Sequence, residues 1–183
     1  TASPRARFFR DFSMPTLPDA EQLLARLAAS LRDHLSPDTA LVGIHTGGVW
    51  VAERLHAMLG LPTPLGTLDV SFYRDDFGQR GLKSDVRQSD LPFDIAGRDI
   101  VIVDDVLYTG RTVRAALNLL FDYGRPGRVR LAALLDRGGR QLPIAPDFVG
   151  GSLDLADHHR MIVLARDDTG QLSLAMEDAG VSA

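Results

Sequence analysis

The segment that most constrains the fold is Ile-Val-Ile-Val at residues 100–103 of this 183-residue chain. Four β-branched residues in a row, with no polar residue between them, are typical of a parallel strand buried on both faces. Asp104 and Asp105 follow at once, and a Thr/Gly turn then leads into a helical pattern over 112–123. A buried strand that passes into a helix through so short a turn predicts a parallel α/β sheet.

The other segments repeat this order of strands and helices. Leucines recur at helical spacing from Asp19 onward, and apolar runs bounded by turns predict further elements. We expect a helix at 49–59 and strands at 40–45, 67–73, 129–135, 148–149, 161–165 and 172–176. This pattern predicts an α/β fold with a doubly wound, mostly parallel sheet and flanking helices.

The chain is expected to form one domain, because 45% hydrophobic residues in 183 suffice for a single buried core. Residues 1–17 have no periodicity and are predicted to be an arm that precedes a domain at 18–183. Residues 74–98 are polar and contain several Gly, Asp and Arg residues. A segment of this kind inside a domain is usually a functional flap or a disordered insert.

Composition excludes several classes of site. The chain has no cysteine, which rules out disulfides, thiolate metal sites and cysteine nucleophiles and fits a cytoplasmic protein. We find no apolar run long enough to cross a bilayer, so no membrane association is expected. The net charge of −4 argues against a surface covered with phosphate-binding residues, although one local basic patch remains compatible with it.

The turn after the central strand has the chemistry of a phosphate site. Its residues are Tyr108, Thr109, Gly110, Arg111 and Thr112. A helix N-terminus offers N–H groups and a positive dipole end, glycine allows close approach, and the hydroxyls and the arginine add donors and charge. The nucleotide motifs G-x-x-x-x-G-K-[ST] and G-x-G-x-x-G after a strand are absent from the sequence.

Asp104 and Asp105 would repel a phosphate unless they face other groups. Vicinal ribose hydroxyls and Mg²⁺ are suitable partners, because carboxylates accept hydrogen bonds from hydroxyls and bind hard cations. The alternative is an ordinary strand end, with an exposed acidic pair followed by a capped helix.

The stretch 100–117 matches the phosphoribosyl pyrophosphate (PRPP) signature of type I phosphoribosyltransferases. The chain resembles more closely the bifunctional pyrimidine operon regulator/uracil phosphoribosyltransferase family, from about residue 20 to the C-terminus. The strings that carry this resemblance are DVSFYRDD (69–76), SDLPFDI (89–95), DDVLYTGRTVRAAL (104–117), GRPGRVRLAALLDRGGRQLPI (124–144) and PDFVG (146–150).

The resemblance implies a role for each part of the site. It implies that Asp104 and Asp105 hold the ribose, that 108–112 bind the 5-phosphate, and that Thr46, Gly47 and Gly48 bind the pyrophosphate. It also implies Mg²⁺ as cofactor, held by the acidic pair largely through the substrate. The segment 74–98 would be a mobile hood that keeps water from the reacting centre.

Further residues are assigned by the same resemblance. In the hood they are Tyr73, Arg74 and Arg87, with Arg74 grouped with the acidic pair as catalytic; at the nucleobase they are Asp136, Arg137, Phe148 and Val149. The alternatives are solvated loop charges for the two hood arginines, a local salt bridge for Asp136 and Arg137, and plain core for the other two.

The chain departs from the family's pattern at three glycines. Gly47 stands where the family has Arg, Gly139 where it has the His of Asp-Arg-Gly-His-Arg, and Gly151 where it has Lys. Gly47 either marks a relaxed pyrophosphate site or holds a backbone with positive φ. The predicted first helix offers only Arg26 where RNA-binding relatives carry Thr and His.

Three functions are therefore compared. The first is a uracil phosphoribosyltransferase with PRPP, uracil and UMP as ligands. The second is a UMP- or UTP-sensing attenuator that binds an mRNA leader, and the third is a purine phosphoribosyltransferase. Tyr108 counts against the third, because many purine enzymes have Asp there, and the negative charge and missing polar residues count against the second. Family members self-associate, so a homo-oligomer is expected.

Overall fold

The computed structural model describes residues 16–71, 88–155 and 160–178. Its elements are helix α1 (Ala20–Arg32), strand β1 (Ala40–Ile44), α2 (Gly47–Leu59), β2 (Gly66–Leu68), β3 (Asp99–Leu107), α3 (Arg111–Tyr123), β4 (Arg128–Asp136), β5 (Phe148–Ser152), β6 (Arg160–Arg166) and β7 (Leu172–Asp178). Most of the predicted arm lies outside the described residues, as do Tyr73, Arg74 and Arg87.

Five strands form a parallel sheet in the order β2-β1-β3-β4-β5. This order reverses direction between β1 and β3, which makes that point the topological switch of a doubly wound sheet. The predicted fold class is confirmed. Ligands of such sheets bind beyond the carboxyl ends of the strands at the switch point.

Strand β3 is buried on both faces, as its composition predicted. Val101 and Val103 pack in a core cluster with α1 and α2, whereas Ile100 and Ile102 pack in a second cluster with α3. One layer of helices therefore covers each face of the sheet. No helix in the described segments is long and apolar enough to span a membrane.

Helix α1 begins at its predicted start and packs closely on β5. Asp19 caps it by accepting a 2.9 Å hydrogen bond from the backbone N–H of Gln22. A β-carbon on Gly150 would lie 2.6 Å from the carbonyl oxygen of Leu23, and one on Gly151 would lie 2.5 Å from Cδ2 of the same leucine. The two glycines therefore set how near α1 lies to the sheet.

The last two predicted strands are present but form a separate sheet. β6 and β7 pair as an antiparallel hairpin outside the five-stranded sheet. Its buried residues Ile162, Leu164 and Leu172 belong to the cluster that includes α1 and α2. The hairpin thus adds to one helical layer of the domain.

Of the segment predicted as a hood, the structure describes residues 88–98. β2 ends at Leu68, so the strand predicted at 67–73 covers too many residues. Thr67 and Asp90 exchange backbone hydrogen bonds of 2.7 and 2.9 Å, and Ile95 is 4% exposed in the core. Residues 88–98 therefore contact the body of the domain, and the predicted hood at about 74–98 stays a prediction.

Candidate active site

Two loops meet at the switch point of the sheet. Gly43 of β1 pairs with Val103 of β3, so the residues after β1 run beside the acidic end of β3. A β-carbon on Gly48 would lie 2.5 Å from the carbonyl oxygen of Val103 and 3.2 Å from Cα of Asp104. The loop Thr46–Gly48 and the acidic pair, predicted separately, therefore lie in direct contact.

The two carboxylates of this pair belong to β3 itself, because the strand continues to Leu107. Asp104 is 5% exposed and pairs with Ala133, which lies in the core cluster of α3. Asp105 faces the start of α2, where a β-carbon on Gly47 would lie 2.5 Å from its Cγ. Adjacent strand residues point to opposite faces, so the two side chains diverge.

This divergence bears on the predicted metal site. Across the described part of the chain, no group of three or more His, Asp or Glu side chains is arranged to hold a metal ion. Two carboxylates on opposite faces of a strand are poorly placed to bind one ion together. A Mg²⁺ ion at this position would take most of its oxygen ligands from a bound substrate.

The phosphate loop has the geometry of an anion cradle. Gly110 has φ of 91°, in the left-handed region, and caps α3 without a side-chain hydrogen bond. Thr109 Oγ1 accepts from the backbone N–H of Arg111 at 3.3 Å, and the exposed Arg111 side chain donates to Gln141 Oε1 at 3.0 Å. The 13-residue helix α3 therefore directs its positive end into the loop.

The predicted nucleobase residues Asp136 and Arg137 lie at the end of β4. Asp136 accepts hydrogen bonds from the Gly138 N–H at 3.0 Å and from Arg140 Nη2 at 2.6 Å. Arg137 is only 2% exposed, its guanidinium lies 3.9 Å from the ring centroid of Tyr108, and its Nη1 donates to the Arg160 carbonyl at 2.7 Å. The structure thus brings these residues to the side of the phosphate loop.

The family model for the phosphoribosyl transferase domain matches residues 15–167. Over 166 residues the chain is 53% identical to "Bifunctional protein PyrR" of Pseudomonas entomophila (strain L48), which covers 88% of this chain and 94% of the relative. The protein of the same name from Pseudomonas aeruginosa (strain LESB58) is 54% identical and covered to 95%. This chain belongs to the PyrR family of phosphoribosyltransferases.

Solved structures agree on the fold. The hypoxanthine phosphoribosyltransferase of Trypanosoma cruzi superimposes with a TM-score of 0.63 over 89% of this chain and 97% of that one. The two sequences are 22% identical, a level at which the likeness shows the common fold alone. The type I phosphoribosyltransferase fold predicted from the sequence is therefore confirmed for this PyrR family member.

Two departures from the PyrR pattern have a steric explanation. Gly139 has φ of 75°, and a β-carbon there would lie 3.0 Å from Cδ2 of Tyr108. The Tyr108 ring thus contacts both Gly139 and the guanidinium of Arg137. A β-carbon on Gly151 would likewise lie too close to the Leu23 side chain. Side chains at either glycine would require these neighbours to move.

Phe148 and Val149, predicted to line the nucleobase pocket, lie at the start of β5, and their nucleobase role stays a prediction. They pair with Ala132 and Ala133, so Phe148 is level with a residue four positions before the end of β4, about 13 Å away along the strand. The Phe148 ring is 8% exposed and lies 5.4 Å from both the His34 ring and the Arg130 guanidinium. Both residues lie at the start of the edge strand β5, level with the middle of β4.

Sequence reasoning also missed residues that organise the site. The residue that contacts Arg137 from beyond β5 is Arg160, at the start of β6. Arg140 and Gln141 bond directly to the phosphate loop and to its flank. The sequence signal in this region is the Asp-Arg-Gly-Gly-Arg string, which does not predict the atoms to which these side chains bond.

Proposed function

We propose that this chain is a uracil phosphoribosyltransferase, which converts uracil and PRPP to UMP and pyrophosphate. The observation that carries the proposal is the convergence of the Thr46–Gly48 loop, the acidic pair and the phosphate loop at one switch point. It occurs in a chain 53–54% identical to proteins named bifunctional PyrR, whose family joins this activity to pyrimidine regulation.

In this proposal each loop binds one part of PRPP. The N–H groups of α3 and the Thr109 and Thr112 hydroxyls donate to the 5-phosphate. Asp104 and Asp105 accept hydrogen bonds from ribose hydroxyls, and the loop at Gly47 faces the leaving pyrophosphate. The uracil nitrogen attacks C1 and gives up its N–H proton to solvent, while the C1–O bond breaks and its electron pair leaves with pyrophosphate. The protein contributes orientation and charge stabilisation.

Magnesium fits this arrangement as a substrate-bound ion. Asp104 and Asp105 would hold it, mainly through the hydroxyls and phosphate oxygens of PRPP, because their carboxylates diverge from β3. When bound, it would neutralise charge on the leaving pyrophosphate. Arg74 was predicted to assist from the hood, and it lies outside the described residues.

The position of Tyr108 supports a pyrimidine substrate over a purine. Its ring contacts the Arg137 guanidinium and Gly139, and tyrosine offers a phenol in place of the carboxylate that many purine enzymes have at this position. RNA binding has weaker support, because Arg137 is buried and Arg140 is bonded within its own loop. Three further expectations stay predictions: that the chain forms a homo-oligomer, that UMP or UTP regulates it, and that it is located in the cytoplasm.

Initial-rate measurements with PRPP and Mg²⁺ test the proposal. Uracil should be converted to UMP, and hypoxanthine and guanine should be turned over at least about a hundredfold more slowly, the discrimination that a pocket's polar groups can provide. Turnover of either purine at the rate of uracil would favour the purine enzyme. UMP binding without turnover would favour the nucleotide-sensing alternative.

A further inference from the structure

Arg140 lies at the centre of the connection between β4 and β5, beside the phosphate loop. Its guanidinium donates three hydrogen bonds: Nη1 to the Tyr108 carbonyl at 2.6 Å, Nη2 to Asp136 Oδ2 at 2.6 Å, and Nε to the Ile144 carbonyl at 2.8 Å. The Arg140 side chain is 24% exposed and that of Asp136 is 18% exposed. These bonds are therefore partly shielded from water, which strengthens them.

The acceptors belong to three different segments. Tyr108 is the first residue of the phosphate loop, Asp136 ends β4, and Ile144 belongs to the connection that carries Arg140 itself. Residues 137–144, which we call the strap, also bond the loop through their backbone, because the N–H groups of Gln141 and Leu142 donate to the Thr109 carbonyl at 3.0 and 3.2 Å. The strap thus forms hydrogen bonds with Tyr108, Thr109 and Arg111 of the phosphate loop.

The strap also packs against the side of the phosphate loop. A β-carbon on Gly110 would lie 3.3 Å from Cβ of Ile144, so the helix cap and the strap are in close packing. Gln141 accepts a hydrogen bond from Arg111 Nε and so orients that side chain of the loop. The position of the anion cradle relative to the end of β4 therefore depends on the strap. Arg140 is the strap residue that bonds both to the phosphate loop, at Tyr108, and to the end of β4, at Asp136.

We propose that Arg140 is a positioning residue, which holds the phosphate cradle at a fixed distance from the end of β4 and so sets the affinity for a sugar 5-phosphate. This inference rests on the proposed function, since it assigns the 5-phosphate to the cradle. Arg140 acts through the Tyr108 carbonyl and Asp136, and it does not itself bind the ligand. Lysine cannot replace it, because one ammonium lacks the planar fork that reaches three acceptors.

The experiment compares Arg140→Lys and Arg140→Met with a matched control, Arg125→Met, whose exposed side chain lies on the turn between α3 and β4. Calorimetry would measure dissociation constants for UMP, ribose 5-phosphate and uridine. Both Arg140 variants should bind UMP and ribose 5-phosphate at least about tenfold more weakly, the loss expected for charge-assisted hydrogen bonds. Uridine binding should change by less than about twofold, and melting midpoints should stay within about 4 °C of the wild type.

The outcomes separate this proposal from the proposed function. Wild-type protein that binds ribose 5-phosphate but not UMP would refute the nucleotide assignment, and the Arg140 variants would still test the cradle. Arg140→Lys protein with unchanged affinity for both phosphates would overturn the positioning role. Equal weakening of uridine and UMP, or loss of the fold in both variants, would also overturn it, because Arg140 would then be structural.

Discussion

A β-carbon on Gly47 would lie 2.5 Å from Cγ of Asp105, a distance at which one of the two residues must move. Gly47 is the first residue of α2, and its φ is not positive, so the idea that a left-handed backbone requires glycine here is wrong. The requirement is steric, and it comes from the carboxylate that was predicted to hold the ribose. The position of Asp105 therefore explains why the pyrophosphate loop has glycine at residue 47 and not the arginine of the family.

The first prediction concerns this pair. Gly47→Arg should displace the Asp105 side chain and weaken UMP binding by about tenfold or more, because a ribose-binding carboxylate is lost from its place. Gly47→Ala is the matched control, since it introduces the same β-carbon without charge. Calorimetry with UMP and the Michaelis constant for PRPP measure both effects. A lower constant for PRPP with unchanged UMP affinity would instead show a relaxed pyrophosphate site.

Asp105→Asn should lower PRPP-dependent turnover by about ten- to a hundredfold, since the amide keeps the shape of the side chain and loses its charge. The free energy of unfolding should change by less than about 0.5 kcal/mol, because Asp105 is only half-buried. Steady-state kinetics and urea unfolding provide the two readouts. Asp33→Asn, at an exposed residue after α1, is the control. Normal turnover by the Asp105 variant would exclude a ribose-binding role.

UMP should bind in the presence of Mg²⁺, and it should bind more tightly than GMP or AMP. The phosphate cradle at Gly110 is common to all three ligands, so the difference must come from the base side, where the Tyr108 ring and Arg137 are stacked. Calorimetry at up to millimolar nucleotide, with and without Mg²⁺, measures it. No heat of binding for any of the three nucleotides would contradict the site as a whole.

The ion pair between Glu21 and Arg54 should make stability depend on pH. Two hydrogen bonds of 3.0 and 2.7 Å join the side chains, and the hydrogen bond from Arg54 is the main cause that lowers the pKa of Glu21. A lowered carboxylate pKa in the folded state stabilises fully above the ordinary value near 4.5, and this contribution is lost as the pH falls through the lowered pKa.

Glu21→Gln should therefore cost about 1 kcal/mol of unfolding free energy at pH 7, a value kept small because both side chains are partly exposed. The difference from the wild type should shrink as the pH falls below about 4.5. Urea unfolding between pH 3 and 7 measures the trend. Glu177→Gln, on the exposed surface of β7, is the control. A difference that grows toward low pH would contradict the assignment.

Gly151→Lys, which restores the residue typical of the PyrR family, should destabilise this chain by about 1–3 kcal/mol, the usual cost of overpacking. The β-carbon would meet Cδ2 of Leu23 and force α1 away from β5. Ser152→Lys, at the exposed neighbouring position, should change stability by less than about 0.5 kcal/mol. Unfolding by urea distinguishes the two variants. Equal stability of both would show that α1 adjusts without cost.

Sequence alone was sufficient for the features that depend on local pattern. The β-branched run at 100–103 required a strand buried on both faces, and the turn at Gly110 required a helix start, so β3 and α3 could be predicted together. The doubly wound, mostly parallel sheet followed from the order of strands and helices. The family resemblance then assigned the phosphate, ribose and pyrophosphate loops.

Features that depend on register and on long side chains could not be predicted in this way. Phe148 lies close in sequence to the strap, but its pairing with Ala132 places it level with the middle of β4, and only strand register shows this. Arg140 could have been a solvated charge, because its three acceptors come together only in the folded chain. The steric requirement for glycine at residue 47 likewise arises only because the fold places Asp105 beside it.

The separate hairpin of β6 and β7 has a consequence for amide hydrogen exchange. Its ladder can open while the five-stranded sheet stays intact, so its amides should exchange through a local event, and those of β3 through global unfolding. The Arg160 carbonyl at the start of β6 accepts a hydrogen bond from Arg137, which stacks on Tyr108 beside the phosphate loop. A ligand that immobilises Tyr108 would therefore slow deuterium uptake by the hairpin. Exchange at β6 would report the occupancy of a site whose main residues lie on other elements.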